Sequence, residues 1–240
     1  MNDKETRRGY VDSDELEFSD ESLAVLARAQ QEIHWLMDRG YPINNAVTFV
    51  GNHYLLSSRQ RLALTRATSS TASIAGRKSK EAFACDSQVI YIDGFNLIIT
   101  LEVALSGSAL IKCMDGTIRD LAGVRGTYRL IDKTDIAIAL IGDKLKSLNI
   151  AGAAFYIDAP VSNTGRLKAR ILELLGGYGY DLSVELVNNV DAMLKIKPYV
   201  VSSDAIILNE CVSWLNIGAS IITESIDAAK YIDLSGVFLT

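Results

Sequence analysis

Three short apolar runs in this chain end in the same way: "VIYID" at Asp93, "AAFYID" at Asp158 and "YVVSSD" at Asp204. Aspartate is a poor strand former and is costly to bury unpaired, so an Asp at a strand end serves either as the cap of a following helix or as a ligand. The runs are apolar on both faces and alternate with helical segments, which is the grammar of βαβ units around a buried parallel sheet. In an open parallel sheet the carboxyl ends of the strands share one edge, and ligands bind in the crevice there. Three aspartates on that edge would converge.

This grammar occupies residues 86–240. Strands are expected at 88–92, 109–113, 151–157, 182–187, 199–202 and 219–223. Helices are expected in "KTDIAIALIGDKLKSLN", "NTGRLKARILELLGGYG", "NNVDAMLKI" and "DAIILNECVSWLNIG". The expected fold class is therefore α/β: a three-layer, Rossmann-like, mostly parallel sheet, preceded by a small all-α domain. Residues 1–20 are charged and aperiodic and read as a frayed acidic tail. Residues 21–80 read as the helical domain and linker. There, "ESLAVLARAQQEIHWLMDRG" spaces Leu23, Leu26, Ala27, Ile33 and Leu36 as a helix does and stops at Gly40, a shorter helix follows at 45–50, and a third opens on Ser57. From Arg59 to Lys80 there is no acidic residue, while Arg59, Arg61, Arg66, Arg77, Lys78 and Lys80 lie within the stretch. Such a segment is either a solvated helix face or a phosphate-contacting surface.

A formal net charge of −5 over 240 residues excludes a protein whose whole surface grips nucleic acid, but leaves room for a local basic patch. Cys85, Cys113 and Cys211 lie far apart with no CxxC pair, which argues against a disulfide framework or a zinc site and for a reducing cytoplasm. His34 and His53 both sit in the N-terminal part, so any metal in the α/β region would be held by oxygen. A fourth carboxylate, Asp191, opens the helix "VDAML" and can project to the same rim as the strand-end acids. Like charges held together repel unless a divalent cation compensates, and oxygen-only ligation suits Mg²⁺ or Mn²⁺. No segment is apolar and long enough for a signal peptide or a membrane span, so the expected location is cytoplasmic with no membrane partner.

Taken in order, "VIYIDGFNLI", "FYIDAPVSNTGRL", "VDAML" and "YVVSSDAIIL" resemble the landmarks of PIN-like nuclease domains, particularly the NYN branch. In that branch a strand ending in Asp-Gly-aromatic-Asn precedes a strand ending in Asp, an Asp-bearing helix start and a strand ending in Ser-Asp. The likeness spans roughly residues 88–223. "NHYLLSSRQRLALTRA" and "PVSNTGRLK" also look like an uncharacterised prokaryotic family that joins a small helical domain to such a fold. The PIN-like resemblance implies metal-dependent phosphodiester cleavage, usually of RNA. It makes Asp93, Asp158, Asp191 and Asp204 metal ligands, with Asp93, Asp191 and Asp204 catalytic, and places Asn96 and Ser203 beside them to orient ligands or water.

Phosphate chemistry also needs positive charge. Arg119, Arg125 and Arg129 in "RDLAGVRGTYRL", with Arg166 and Lys168 after Asp158, are the candidates for holding phosphate. The rival reading from a different class is a non-catalytic RNA- or nucleotide-binding module that keeps the acidic pocket. A phosphotransferase with an Asp nucleophile fits less well, because the second acid common two residues later is here Phe95. A dinucleotide-binding fold fits least, because "IDGFNL" lacks the three-glycine fingerprint.

Overall fold

The computed structural model describes residues 6–123 and 126–236. Among them, five helices precede the first strand: α1 (Asp14–Glu17), α2 (Asp20–Met37), α3 (Ile43–His53), α4 (Ser58–Ala67) and α5 (Thr71–Lys78). Ser19 starts α2 by accepting from the Ser22 amide, with Asp20 and Glu21 in the first turn to complement the helix dipole. A reciprocal capping box between Ser57 and Gln60 starts α4. The chain then runs β1 (Val89–Asp93), α6 (Gly94–Leu105), β2 (Ala109–Lys112), β3 (Ile118–Asp120), α7 (Asp132–Ser147), β4 (Gly152–Asp158), α8 (Thr164–Leu175) and β5 (Asp181–Val187). It closes with α9 (Val190–Leu194), β6 (Val200–Val201), α10 (Ala205–Glu210), α11 (Ile217–Ser225) and β7 (Lys230–Asp233). No helix among the described residues is long and apolar enough to cross a membrane.

The expected parallel sheet is present in the order β5-β4-β1-β6, every pairing parallel. Alternation along its strands builds two cores. Ile90, Ile92, Phe155 and Val201 join the core made with α6, α7, α8 and α11, while Ala154, Tyr156 and Val200 point the other way, onto Val190 and Leu194 of α9 and Ile207 and Leu208 of α10. Helices thus cover both faces, giving the three layers.

Two expectations are corrected. Residues 219–223, read as a strand, lie inside helix α11. The strand expected at 109–113 is β2 (Ala109–Lys112), but it belongs to a second sheet, β3-β2-β7, in which β2 pairs antiparallel with β3 and parallel with β7. The β2–β3 connection is tight, with Gly116 at φ +84 and the Cys113 amide donating to the Thr117 carbonyl, so the "MDG" between two apolar runs is a hairpin signal.

This second sheet joins the helical half to the rest. Leu26, Ile33, Val47, Val50 and Leu64 of α2–α4 pack on Ile111, Cys113, Leu121 and Ile232, whereas Leu110 and Ile118 face the core under α6. Three of the six cations of the acid-free segment, Arg59, Arg66 and Arg77, are taken up in the same junction. Arg59 binds both carboxylate oxygens of Asp14 at 2.8 Å and the Leu121 carbonyl at 2.9 Å. Arg66 donates to the carbonyls of Asp120 and Ala122. Arg77 reaches Asp115 at 2.5 Å, and Arg119 of β3 reaches the same carboxylate oxygen at 2.5 Å. Thr117 satisfies the other oxygen through its amide and hydroxyl. For Arg77 and Arg119 burial drives this use, because a buried guanidinium is tolerated only when its donors are met.

Residues 6–20, read as a frayed tail, are likewise fastened. Arg8 pairs with Glu102, fully buried in α6, which also accepts from the hydroxyls of Tyr128 and Thr134. The three cysteines are free and buried, as small core residues are. Replacing Asp115 by Ala strands two buried arginines, and equilibrium urea unfolding should show a loss of roughly 3–5 kcal/mol. A loss under about 1 kcal/mol would mean that the cluster does not join the two halves.

Candidate functional site

Asp93 ends β1, Asp158 ends the neighbouring β4, and Asp204 follows β6 on the other side of β1, so all three lie on the carboxyl edge of one parallel sheet. Register sets their heights. Asp93 stands opposite Tyr156, two residues short of Asp158, and Ile92 stands opposite Val201, three residues short of Asp204. Asp191 reaches the rim from the first turn of α9. Its helix is tied there because the Val190 amide donates to Asp158 Oδ1 at 3.4 Å.

Each strand-end acid next to a helix also caps it. Asp93 accepts from the Asn96 amide and so starts α6; Asp204 accepts from the amides of Ile206 and Ile207 and so starts α10. Asp93 is 8% exposed, and its second oxygen takes the Ser202 hydroxyl at 3.0 Å. Ser202 Oγ in turn accepts from the Asp204 amide at 3.1 Å, linking the two acids through one hydroxyl. Ser202 is the residue that the sequence reading passed over, although "VVSSD" contains it. Asn96 and Ser203 hold each other: Asn96 Oδ1 accepts from the Ser203 amide at 2.8 Å and its hydroxyl at 3.1 Å. Both thus fix the β6 exit against α6. Gly94 is required by packing, since a Cβ there would come within 3.0 Å of Ile157 and 3.1 Å of the Tyr156 carbonyl.

The electrostatics mark these carboxylates as one cluster. Burial pushes the Asp93 carboxyl up to about 7, the hydrogen bonds from Asn96 and Ser202 oppose that, and the charges of Asp204 and Asp158 push it further. Asp191 is also raised, first by burial and then by the charges of Asp204 and Asp158. The cluster is nevertheless loose. Among the described residues no three His, Cys, Asp or Glu side chains come close enough to hold a metal ion together.

The expected cations fall in two places, only one of them in contact with the rim. Arg119 is buried behind the rim and donates from Nε to the Ser203 carbonyl at 2.6 Å, steadying the chain that delivers Asp204. It belongs to β3, whereas the sequence pattern had grouped it with a glycine-flanked loop. Arg129 and Arg166 meet at a separate cleft of ≈ 480 Å³ that Asn163 and Arg170 also line. Lys168 is half-buried on α8. Arg125 lies outside the described residues.

Comparison with known proteins divides the chain at the same point as the structure. Residues 25–80 match a family described as a protein of unknown function, DUF434, and residues 83–220 match one described as a domain of unknown function, DUF5616. An uncharacterized protein of Methanocaldococcus jannaschii is 36% identical over 208 residues, covering 85% of this chain and 98% of the relative. The chain belongs to the DUF5616 family. No solved structure matches it. The DUF5616 match contains all four rim aspartates together with Asn96, Arg119, Ser202 and Ser203, and the DUF434 match contains Arg59, Arg66 and Arg77. Arg59, Arg66 and Arg77 of the helical half and the carboxylate rim thus fall in different matched regions of one chain, with Arg119 on the side of the rim.

The raised Asp93 carboxyl has a thermodynamic sign. A carboxyl whose folded value exceeds its unfolded value holds its proton more tightly when folded, so folding stability falls as pH rises from about 4 to 7 and levels off above. Asp93→Asn keeps a capping side chain and removes that dependence. In chelator the variant should be roughly 2–4 kcal/mol more stable than wild type at pH 8 and nearly equal to it at pH 4. Denaturant unfolding at both pH values checks this. A difference that does not change with pH would show that Asp93 titrates as an ordinary carboxylate.

Proposed function

We propose that this chain is a divalent-metal-dependent phosphodiesterase acting on RNA, an endoribonuclease of PIN-like type, with Asp93, Asp158, Asp191 and Asp204 as its metal-holding residues. The observation that carries the reading is the placement of four carboxylates on one sheet edge, where burial first and then the charges of Asp204 and Asp158 raise both Asp93 and Asp191. A fold does not gather such a cluster without cost, and a cation is the usual compensation.

The looseness of the rim suits the ion proposed. Mg²⁺ keeps several of its waters and is commonly held by one or two carboxylates together with substrate phosphates. Either Mg²⁺ or Mn²⁺, when bound, supplies the positive charge that offsets the anionic phosphoryl centre. Asp191, half-buried at the open start of α9, is placed to accept a proton from an attacking water. Asp93 and Asp204 are held in place by their caps and by Ser202, so they present fixed rather than mobile oxygens. Asn96 and Ser203 act as positioning residues that fix the β6 exit, and Arg129 with Arg166 supplies a flank for phosphate.

One observation favours a second reading. Both helix-capping acids are already satisfied by backbone amides, and among the described residues no three carboxylates lie within chelating range. That arrangement also suits a non-catalytic RNA- or nucleotide-binding module.

The two readings separate on one assay. With mixed RNA and Mn²⁺, wild type should cleave, whereas Asp93→Asn and Asp191→Asn should each lose roughly 10²–10⁴ in rate while folding normally. Equal cleavage by wild type and Asp93→Asn would sink the nuclease assignment. Cleavage by none of them, with RNA still bound in chelator, would establish the binding module.

A further inference from the structure

A cleft of ≈ 510 Å³ separates the helical half from the carboxyl edge of the sheet. One wall comes from α3 and α4 through Asn44, Thr65 and Arg66; the other comes from the rim itself through Asn96, Ser203, Asp204 and Ile206. Phe95 and Ile99 contribute an apolar floor. From this geometry we infer that the cleft seats the nucleotide adjacent to the scissile phosphate, so that the helical half is a working part of the substrate site. The inference rests on the ribonuclease reading proposed above and deepens it.

Three features lead to this occupant. First, the volume falls within the roughly 300–1,000 Å³ of sites that enclose a small ligand. It suits one or two unpaired nucleotides. Second, the lining is divided. Ile43 and Ile206 offer apolar surface to a base above the buried Phe95 and Ile99, while Asn44 and Thr65 offer polar groups to a sugar or phosphate. Unpaired bases gain most from such surface, because their faces are open for stacking. Third, the lining holds cations as well as carboxylates. The acid rim on its own repels phosphate, but the cleft also carries the partly exposed Arg66, which pairs with Asp120, and the buried Arg119 behind Ser203. A phosphodiester can therefore approach Asp204 from the side of the helical half without meeting carboxylates alone.

The walls are also held rigid. Arg66 spans to the carbonyls of Asp120 and Ala122, Arg119 donates to the Arg66 carbonyl, and Arg59 binds the Leu121 carbonyl. The helical half is thus locked against β3 at the width of the cleft, and little ordering cost is left for the ligand to meet. This gives the junction arginines a second consequence: they do not coat the surface, but they set the opening into which a strand can enter.

The test uses the full-length protein in chelator, which removes cleavage and leaves binding. A short labelled single-stranded RNA of mixed sequence is titrated against wild type, Ile206→Glu, Asn44→Glu and Phe83→Glu. Ile206 and Asn44 are exposed in the cleft and outside the arginine clamp, so their replacement adds charge without loosening the junction. Phe83 is 87% exposed. It follows Ala82, which bonds to Trp214 beside the start of β6, so it lies toward the opposite edge of the sheet and controls for the added charge. The expected result is at least about tenfold weaker binding for both cleft variants, unchanged binding for Phe83→Glu, and equal melting temperatures. Cleft variants that bind as wild type does would overturn this inference while leaving the RNA reading intact. A wild type that binds no RNA, even when Mn²⁺ replaces chelator, would overturn both.

Discussion

One buried carboxylate organises the chain. Asp115 sits at the tip of the β2–β3 hairpin, receives Arg77 from α5 and Arg119 from β3 on one oxygen, and receives the Thr117 amide and hydroxyl on the other. Arg77 continues to Asn209 of α10 at 2.8 Å, and its carbonyl accepts from the Trp214 indole. Arg119 continues to the Ser203 carbonyl. A single anion thereby connects the helical half, the small sheet, the helix capped by Asp204 and the strand exit that delivers it. Two guanidinium groups buried around one carboxylate have a large desolvation cost, so this cluster is weak grounds for extra stability. Its effect is geometric: few other packings of the same chain could satisfy all of these donors.

That geometry explains how the acid rim can be both structural and available for chemistry. Asp93 and Asp204 start helices, which fixes their backbones, and Ser202 bridges them, which fixes their separation. A carboxylate oxygen that accepts one amide still has a lone pair for another partner. The cap and ligand readings of a strand-end aspartate are therefore compatible. What sets these residues apart from ordinary caps is the company they keep: an isolated N-cap gains from its helix, whereas Asp93 also feels the charges of Asp158 and Asp204 in a buried setting.

The places where the sequence misled have a shared cause. Residues 219–223 carry β-branched Ile221, Ile222 and Thr223, which suit either a strand or a buried helix, and periodicity over so short a run cannot choose between them. Packing on α6 and α7 chose helix. The basic run from Arg59 to Lys80 has the composition of a phosphate-binding surface, yet Arg59, Arg66 and Arg77 turn inward, because each finds a carbonyl or carboxylate acceptor more than thirty residues away, beyond the reach of local pattern. Residues 6–20 look like a tail for the same reason. Glu102, the partner that anchors Arg8, lies on a helix far along the chain.

By itself the sequence determined the α/β class, the parallel strands, the capped helices and the positions of the four aspartates, since these follow from side-chain period, strand length and the short reach of a capping carboxylate. Tertiary structure alone decided that a second sheet would carry the helical half, that its arginines would become clamps, and that a cleft would open between that half and the rim. Those outcomes depend on which buried charges find partners across long sequence separations. The low-dielectric interior makes every unmatched charge expensive, so only the assembled fold can select among the pairings that composition permits.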